Sequence, residues 1–197
     1  MLKPNLNKKF ISKMKIYIQS LLALLTIIHA SETLSSTEPK YNRDNWFHWN
    51  KNVSGCQNLR HFLLENTSLK PVSYHSEKKC RVKVGKWYGA YTDTFFYNSA
   101  QLDIDHIVPL SWAASHGGIN WSKKKKRQFA NDIDNLIVVS RSENRKKGAL
   151  GIEKYLPPNK KFHCDYIGKF KTVVSKYELN FKDKEITSLK GLNDSCN

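Results

Sequence analysis

The sequence predicts an α+β fold, a small disulfide-stabilised domain in which flanking helices surround a strand–strand–helix unit. Three observations predict it. Apolar runs of strand length stand at 80–88, 102–107 and 136–139. Helical spacing appears between and beyond them, at 59–63, 122–130 and 163–178. The four cysteines, Cys56, Cys80, Cys164 and Cys196, form no C-x-x-C pair, so they read as two disulfides rather than a zinc site.

Taken in order, residues 1–30 read as a secretory signal peptide. Lys3, Lys8, Lys9, Lys13 and Lys15 precede an apolar run from Ile16 to Ile28, and the small residue Ala30 marks the exit. The run is shorter than the ~20 residues that a spanning helix needs. Residues 31–50 are polar, contain Pro39, lack periodicity and read as a leader or linker; 51–197 is the domain proper. Leu59, Phe62 and Leu63 then define a short amphipathic helix. Val82 and Val84 alternate in a strand that meets Gly85, with Trp87 and Tyr88 opening the next extended piece. Leu102 to Ile107 is a strand stopped before Pro109. Ser122 caps a helix over 122–130 that carries the basic turn Lys123 to Arg127. Leu136 to Val139 is a buried strand. Ser140 and Glu143 form a capping box that opens a helix ended by Gly148. Cys164, Ile167, Phe170, Val174 and Tyr177 share one face of a last helix.

Composition narrows the function. The 197 residues carry 33 Lys+Arg against 17 Asp+Glu, a formal +16. Loss of residues 1–30 removes five lysines and no acid, leaving 28 basic against 17 acidic groups, or +11. Hydrophobic and aromatic shares of 40% and 12% suffice for a core and exclude general disorder. The basic excess points to a polyanionic partner. The 102–148 segment supplies the chemistry. Asp105 and His106 close one strand, Asn135 opens the next, and Asn144 lies in the first turn of the following helix. A carboxylate and an amide oxygen suit a hydrated hard cation, and a neutral imidazole beside it can take a proton from water. In a regular strand Asp105 and His106 face opposite ways, so their joint action requires a bend at the strand end.

Leu102-Asp103-Ile104-Asp105-His106-Ile107-Val108-Pro109-Leu110, Asn135-Leu136 and Asn144-Arg145-Lys146-Lys147-Gly148 resemble the HNH endonuclease pattern. The nine-position step from Asn135 to Asn144 is similar to that in the HNH domain of RNA-guided CRISPR nucleases. Cys80-Arg81-Val82, Gly85-Lys86-Trp87, Tyr91-Thr92, Phe129-Ala130-Asn131-Asp132 and Tyr155-Leu156-Pro157-Pro158 resemble the branch with secreted HNH nucleases and the HNH part of GmrSD-type restriction enzymes. The resemblance spans about residues 56–178. It implies a ββα-metal finger, with His106 as general base, Asp105 and Asn144 as metal ligands, and Asn135 bracing the histidine loop. It departs from the pattern in having Asn144 where His is frequent, and in the long His106–Asn135 interval, which makes the 123–127 helix an insertion.

The expected function is a secreted (extracellular or, in a bacterium, periplasmic) metal-dependent endonuclease that cuts DNA, with RNA as a further substrate and little sequence preference. The expected cofactor is one divalent ion, Mg²⁺ first and Mn²⁺ second. Lys123, Lys124, Lys126, Arg127, Arg145 and Lys147 are the expected phosphate contacts. The chain is expected to be monomeric, with no stable membrane association once the signal is cleaved. The disulfides are expected as Cys56–Cys80 and Cys164–Cys196, because each pair joins neighbouring segments. Two other classes stay open: a non-catalytic cationic DNA-binding protein on the same scaffold, and a membrane-active toxin, for which no wide amphipathic basic helix is visible.

Overall fold

A run of β-branched and aromatic residues from Val82 to Tyr88 pairs on both sides, and the rest of the domain is arranged around the resulting sheet. The computed structural model describes residues 39–194 and Cys196. The signal-peptide segment 1–30 lies outside the described residues. The first sheet is antiparallel, in the order β1 (Ser73–Tyr74), β2 (Val82–Gly89) and β3 (Thr94–Asn98). Trp87 and Tyr88 continue β2 instead of opening a new piece. The interruption read at Gly85 is a register shift between Val84 and Trp87. A Cβ at Gly85 would stand 2.6 Å from the Trp87 ring and 2.7 Å from Ser68 Oγ, so only glycine fits there.

Helix α1 (Leu59–Asn66) is capped by Asn58, whose side chain accepts from His61 N–H. It buries Leu59 and Leu64 against β2, where Trp87 Nε1 donates to Leu64 O at 2.7 Å. The second sheet pairs β4 (Leu102–His106) with β5 (Leu136–Ser140), antiparallel, from Leu102↔Ser140 to His106↔Leu136. Between these strands lie α2 (Leu110–Ser115) and α3 (Lys123–Ala130); Ser122 Oγ caps α3 by accepting from Lys125 N–H. Strand β5 runs directly into α4 (Arg141–Lys147). Ser140 accepts from Glu143 N–H at its start, and Gly148, at φ 51°, ends it. Helices α5 (His163–Lys176) and α6 (Asp183–Asp194) complete the domain. The architecture is a small mixed domain, α+β, with two disulfides.

The β4–β5 ribbon separates two cores. Leu102, Ile104, Leu136 and Val138 face α1 and β2 with Leu64, Val82 and Trp87. Val139, with Ile107 just beyond the strand, faces the larger core of Tyr91, Trp112, Phe129, Tyr166 and Phe170. Burial on both faces explains why Leu136 to Val139 is continuously apolar rather than alternating. The buried stripe of α5 is Tyr166, Ile167, Phe170, Val173 and Val174, and Cys164 is exposed.

The leader reading of 31–50 requires correction. Trp46 is 1% exposed, with ring centroids 5.7 Å from both Trp121 and Phe129. Asn50 N–H donates to Asn131 Oδ1 at 2.8 Å. Residues 39–50 are therefore part of the packed domain, and with one short 3-10 turn (Arg43–Asn45) they show no periodicity to reveal it.

Cys56–Cys80 ties the approach to α1 to the start of β2, and Cys164–Cys196 ties the first turn of α5 to the end of α6. They close segments with separations of 24 and 32 positions. Replacing either pair by alanine is expected to lower unfolding free energy by about 2–4 kcal/mol, read from urea titration under non-reducing conditions.

Candidate active site

His106 is the last residue of β4 and Asp105 the one before it. The two side chains leave opposite faces of the strand, as its pleat requires. Strand β4 pairs with no strand but β5 among the described residues, and the chain bends straight after His106, at Ile107 and Val108. The free edge of β4 lines a cleft of about 410 Å³ shared by Asp105, His106, Asn144 and Arg43.

His106 is 7% exposed. Its Nε2 lies 2.9 Å from Ala130 O, which can only accept, so Nε2 carries the proton and Nδ1 keeps its lone pair. Burial pushes the imidazole pKa down to about 3, a shift that the Ala130 carbonyl opposes and the charge of Lys147 reinforces. The rings of Trp49 and His48 stand 5.9 and 6.4 Å from its own. Trp49 adopts φ 62°, and its place is set by the anchored backbone of Asn50, whose O accepts from Leu59 N–H.

Asp105 is 4% exposed. Lys147 Nζ lies 3.0 Å from its Oδ1 and 2.9 Å from its Oδ2, and Tyr91 OH donates to Oδ2 at 2.8 Å. Burial pushes the carboxyl pKa up, while the Lys147 charge and these hydrogen bonds pull it down. Every partner of the two oxygens is a donor, as an ionised carboxylate requires. Asn135 is fully buried. Its Oδ1 accepts from Val108 N–H at 2.8 Å, its Nδ2 donates to Val108 O at 3.2 Å, and its backbone O accepts from Ile107 N–H. The turn after His106 is thus held on three sides by one residue.

Asn144 Nδ2 donates to Asp103 Oδ2 at 3.2 Å, which leaves its amide oxygen free of that bond. Asp103 also meets Arg141 and Arg60, at 3.5 and 3.9 Å. The chemistry of this donor set fits a hydrated hard cation. Asp105 accepts from Lys147 Nζ and Tyr91 OH, with the His106 backbone N–H a further donor, so a cation there would share the carboxylate with these donors; Asn144 borders the same cleft. Among the described residues no group of three His, Cys, Asp or Glu is placed to hold a metal ion. Ligation would therefore rest on few protein oxygens and several waters, the habit of Mg²⁺ rather than Zn²⁺.

The expected phosphate contacts divide. Lys123, Lys124 and Arg145 are exposed. Lys126 Nζ donates to Ile119 O and lies 5.7 Å from the Trp46 ring centroid, while Arg127 Nε donates to Asn50 Oδ1. Lys147 needs correction: it is 0% exposed, and its ammonium is spent on Asp105 and on His106 O at 2.7 Å. An ammonium enclosed in this way does not reach a nucleic-acid phosphate. Sequence reasoning missed this role because Lys147 stands in a basic run, Arg145-Lys146-Lys147, and one helix position separates solvent from core. It quoted Tyr91 and Arg81 within the resembling segments but gave them no role, and it passed over Arg43, Trp49 and Arg141.

Residues 36–189 match the family described as GmrSD restriction endonucleases, C-terminal domain. The chain belongs to that family. A relative from Arthroderma benhamiae described as an uncharacterized secreted protein is 31% identical over 180 residues, covering 90% of this chain and 84% of the relative. No solved structure matches the chain. Membership in the GmrSD C-terminal family gives the domain a nuclease-like character, and among the described residues no helix is long and apolar enough to cross a membrane.

Two histidines of this GmrSD-type domain make its stability depend on pH. His61 Nδ1 accepts from Val82 N–H at 3.1 Å, and burial, with Arg60 and Arg81 nearby, pushes its pKa down to about 4. For His61 and His106 the folded pKa lies below the unfolded value of about 6.5, so the unfolded chain binds more protons between the two. Their contribution to stability is complete above pH ~6.5 and is lost as pH falls towards ~4 for His61 and ~3 for His106. Melting temperature is expected to rise across that window. His61→Gln, uncharged throughout, is expected to flatten the rise.

Proposed function

We propose that the protein is a secreted, metal-dependent endonuclease that hydrolyses phosphodiesters in DNA, and in RNA as well, with little sequence preference. The observation that carries the reading is the fixed tautomer of His106. The bond from Nε2 to Ala130 O leaves Nδ1 unprotonated, and His106 lines a cleft with Asp105 and Asn144. A histidine held in this way keeps a lone pair free for the proton of an attacking water across the neutral range, while burial makes it a weaker base than an ordinary imidazole. On this reading β4, β5 and α4 form the ββα-metal finger of HNH nucleases, with α2 and α3 inserted between its strands.

In the mechanism, His106 Nδ1 takes the proton as the water oxygen bonds to phosphorus and the P–O bond to the leaving sugar oxygen breaks, that oxygen taking a proton from solvent. The Ala130 carbonyl holds the ring against rotation and stabilises the imidazolium that forms. Asn135 sets the turn that follows the histidine. Asp105 and Asn144 would hold one Mg²⁺ or Mn²⁺, with Lys147 and Tyr91 fixing the Asp105 carboxylate. When bound, that ion would supply positive charge against the phosphate oxygens and the leaving oxygen. Arg43, which borders the same cleft, adds a permanent cation near the phosphate. Export is supported by the signal-like N-terminus, the two disulfides and the secreted relative.

A supercoiled-plasmid nicking assay on the oxidised chain tests this reading. Nicking with Mg²⁺ or Mn²⁺ that stops in EDTA is the expected result. Binding without nicking in either metal would replace the enzyme with a DNA-binding protein on the same scaffold.

A further inference from the structure

A second cleft of about 510 Å³ lies between α1, the start of β2 and the free edge of β4. It shares Arg43, Ile104 and Asn144 with the cleft that holds Asp105 and His106, so the two clefts adjoin. Four arginines border it, Arg43, Arg60, Arg81 and Arg141, against a single carboxylate, Asp103. Arg60 is committed to the fold, since its guanidinium donates to Ser99 O and Leu102 O. Arg43, Arg81 and Arg141 are exposed. His61 adds a neutral donor: its Nδ1 accepts from Val82 N–H, so its proton sits on Nε2. Trp49 forms the wall nearest His106.

The face of α3 differs. Its cleft, bordered by Lys124, Arg127 and Lys176, contains Asp132, and Lys176 is held by Asp132 and Asp134 at 2.7 and 2.8 Å. Lys176 is matched inside the protein and Arg127 Nε is held by Asn50 Oδ1, and this cleft shares no residue with the one that holds His106.

We infer that the nucleic-acid backbone reaches His106 along the arginine groove, with Arg43, Arg81 and Arg141 on its phosphates, and not along the lysines of α3. The inference rests on the nuclease reading above. It names the substrate path of the same site and corrects the surface that charge density in the sequence suggests. Guanidinium forks suit this task because they pair two donors with a phosphate in a fixed plane. A groove beside the base in which four arginines outnumber the one carboxylate, Asp103 (itself 3.5 Å from Arg141), delivers each phosphodiester to the reacting imidazole whatever its flanking bases.

Binding in EDTA separates this inference from catalysis. The full oxidised chain, Arg81→Gln/Arg141→Gln and Lys123→Gln/Lys124→Gln are titrated against a fluorescein-labelled DNA duplex by anisotropy over a range of salt. Thermal melts verify that each variant is folded. The arginine variant is expected to weaken binding at least about tenfold near 0.1 M salt and to reduce the slope of log K against log salt by about 1.5–2. The lysine variant, which removes the same charge, is expected to change the slope by less than about 0.5. Equal losses in both variants, or a loss confined to the lysine variant, would overturn the groove while leaving the nuclease reading intact. Failure of the parent to bind DNA at all would overturn both.

Discussion

His106→Ala is expected to lower metal-dependent nicking by about 10²–10⁴-fold, the usual contribution of a positioned general base. The variant should remain folded and should still bind DNA, because the imidazole anchors the structure through one hydrogen bond, to Ala130 O. The pH profile gives a second readout. A base must be unprotonated to act, and burial holds this one at about 3 instead of 6.5. The acid limb of kcat/KM should therefore fall well below that of an ordinary histidine, with activity flat through pH 6.5. Nicking that persists in the variant would assign the base to another group. An acid limb near 6.5 would mean that His106 is open to solvent in the working enzyme.

Lys147→Ala is expected to have the largest effect on stability, a loss of about 3–5 kcal/mol, because it strands the buried carboxylate of Asp105 without a counter-charge. Lys147 is 0% exposed, and Asp105 keeps 5% of its side-chain surface. The physical cause is checked by a pair of variants measured in urea. Lys147→Met alone keeps much of the volume but leaves the charge unpaired, so it should be nearly as damaging as alanine. Adding Asp105→Asn removes that charge and should recover most of the loss, without recovering nicking. If Lys147→Met proves as stable as the parent, the pair is not the electrostatic lock that its geometry describes.

The lock also shows why the lysine was misread from sequence. Ser140, Glu143 and Gly148 mark α4 locally, and the basic residues at its end suit the negative pole of a helix in solvent. Whether one of them turns inward depends on what lies across the ribbon, and Tyr91 and Asp105 come from two other segments. Trp46 repeats the lesson. The residues before it are polar and the segment is aperiodic, and its packing on Trp121 and Phe129, with the Asn50–Asn131 hydrogen bond, places residues 39–50 in the domain.

The sequence by itself determined the strands at 82–88, 102–106 and 136–140, the helices at 59–66, 123–130, 141–147 and 163–176, the caps at Ser122 and Ser140 and the stop at Gly148, and it favoured the disulfide pairing that the structure shows. These depend on periodicity, capping chemistry and short chain separations, which neighbouring residues express. It also singled out Asp105, His106, Asn135 and Asn144, and the tertiary structure decided how they stand. Pairing of β4 with β5 alone leaves a free strand edge, the chain bends straight after His106, and side chains from opposite faces share a cleft. The tautomer of His106, the partners of Asp105 and the arginine groove each join residues far apart in the chain. No local pattern encodes such contacts, because the free energy that forms them appears only when separate elements pack.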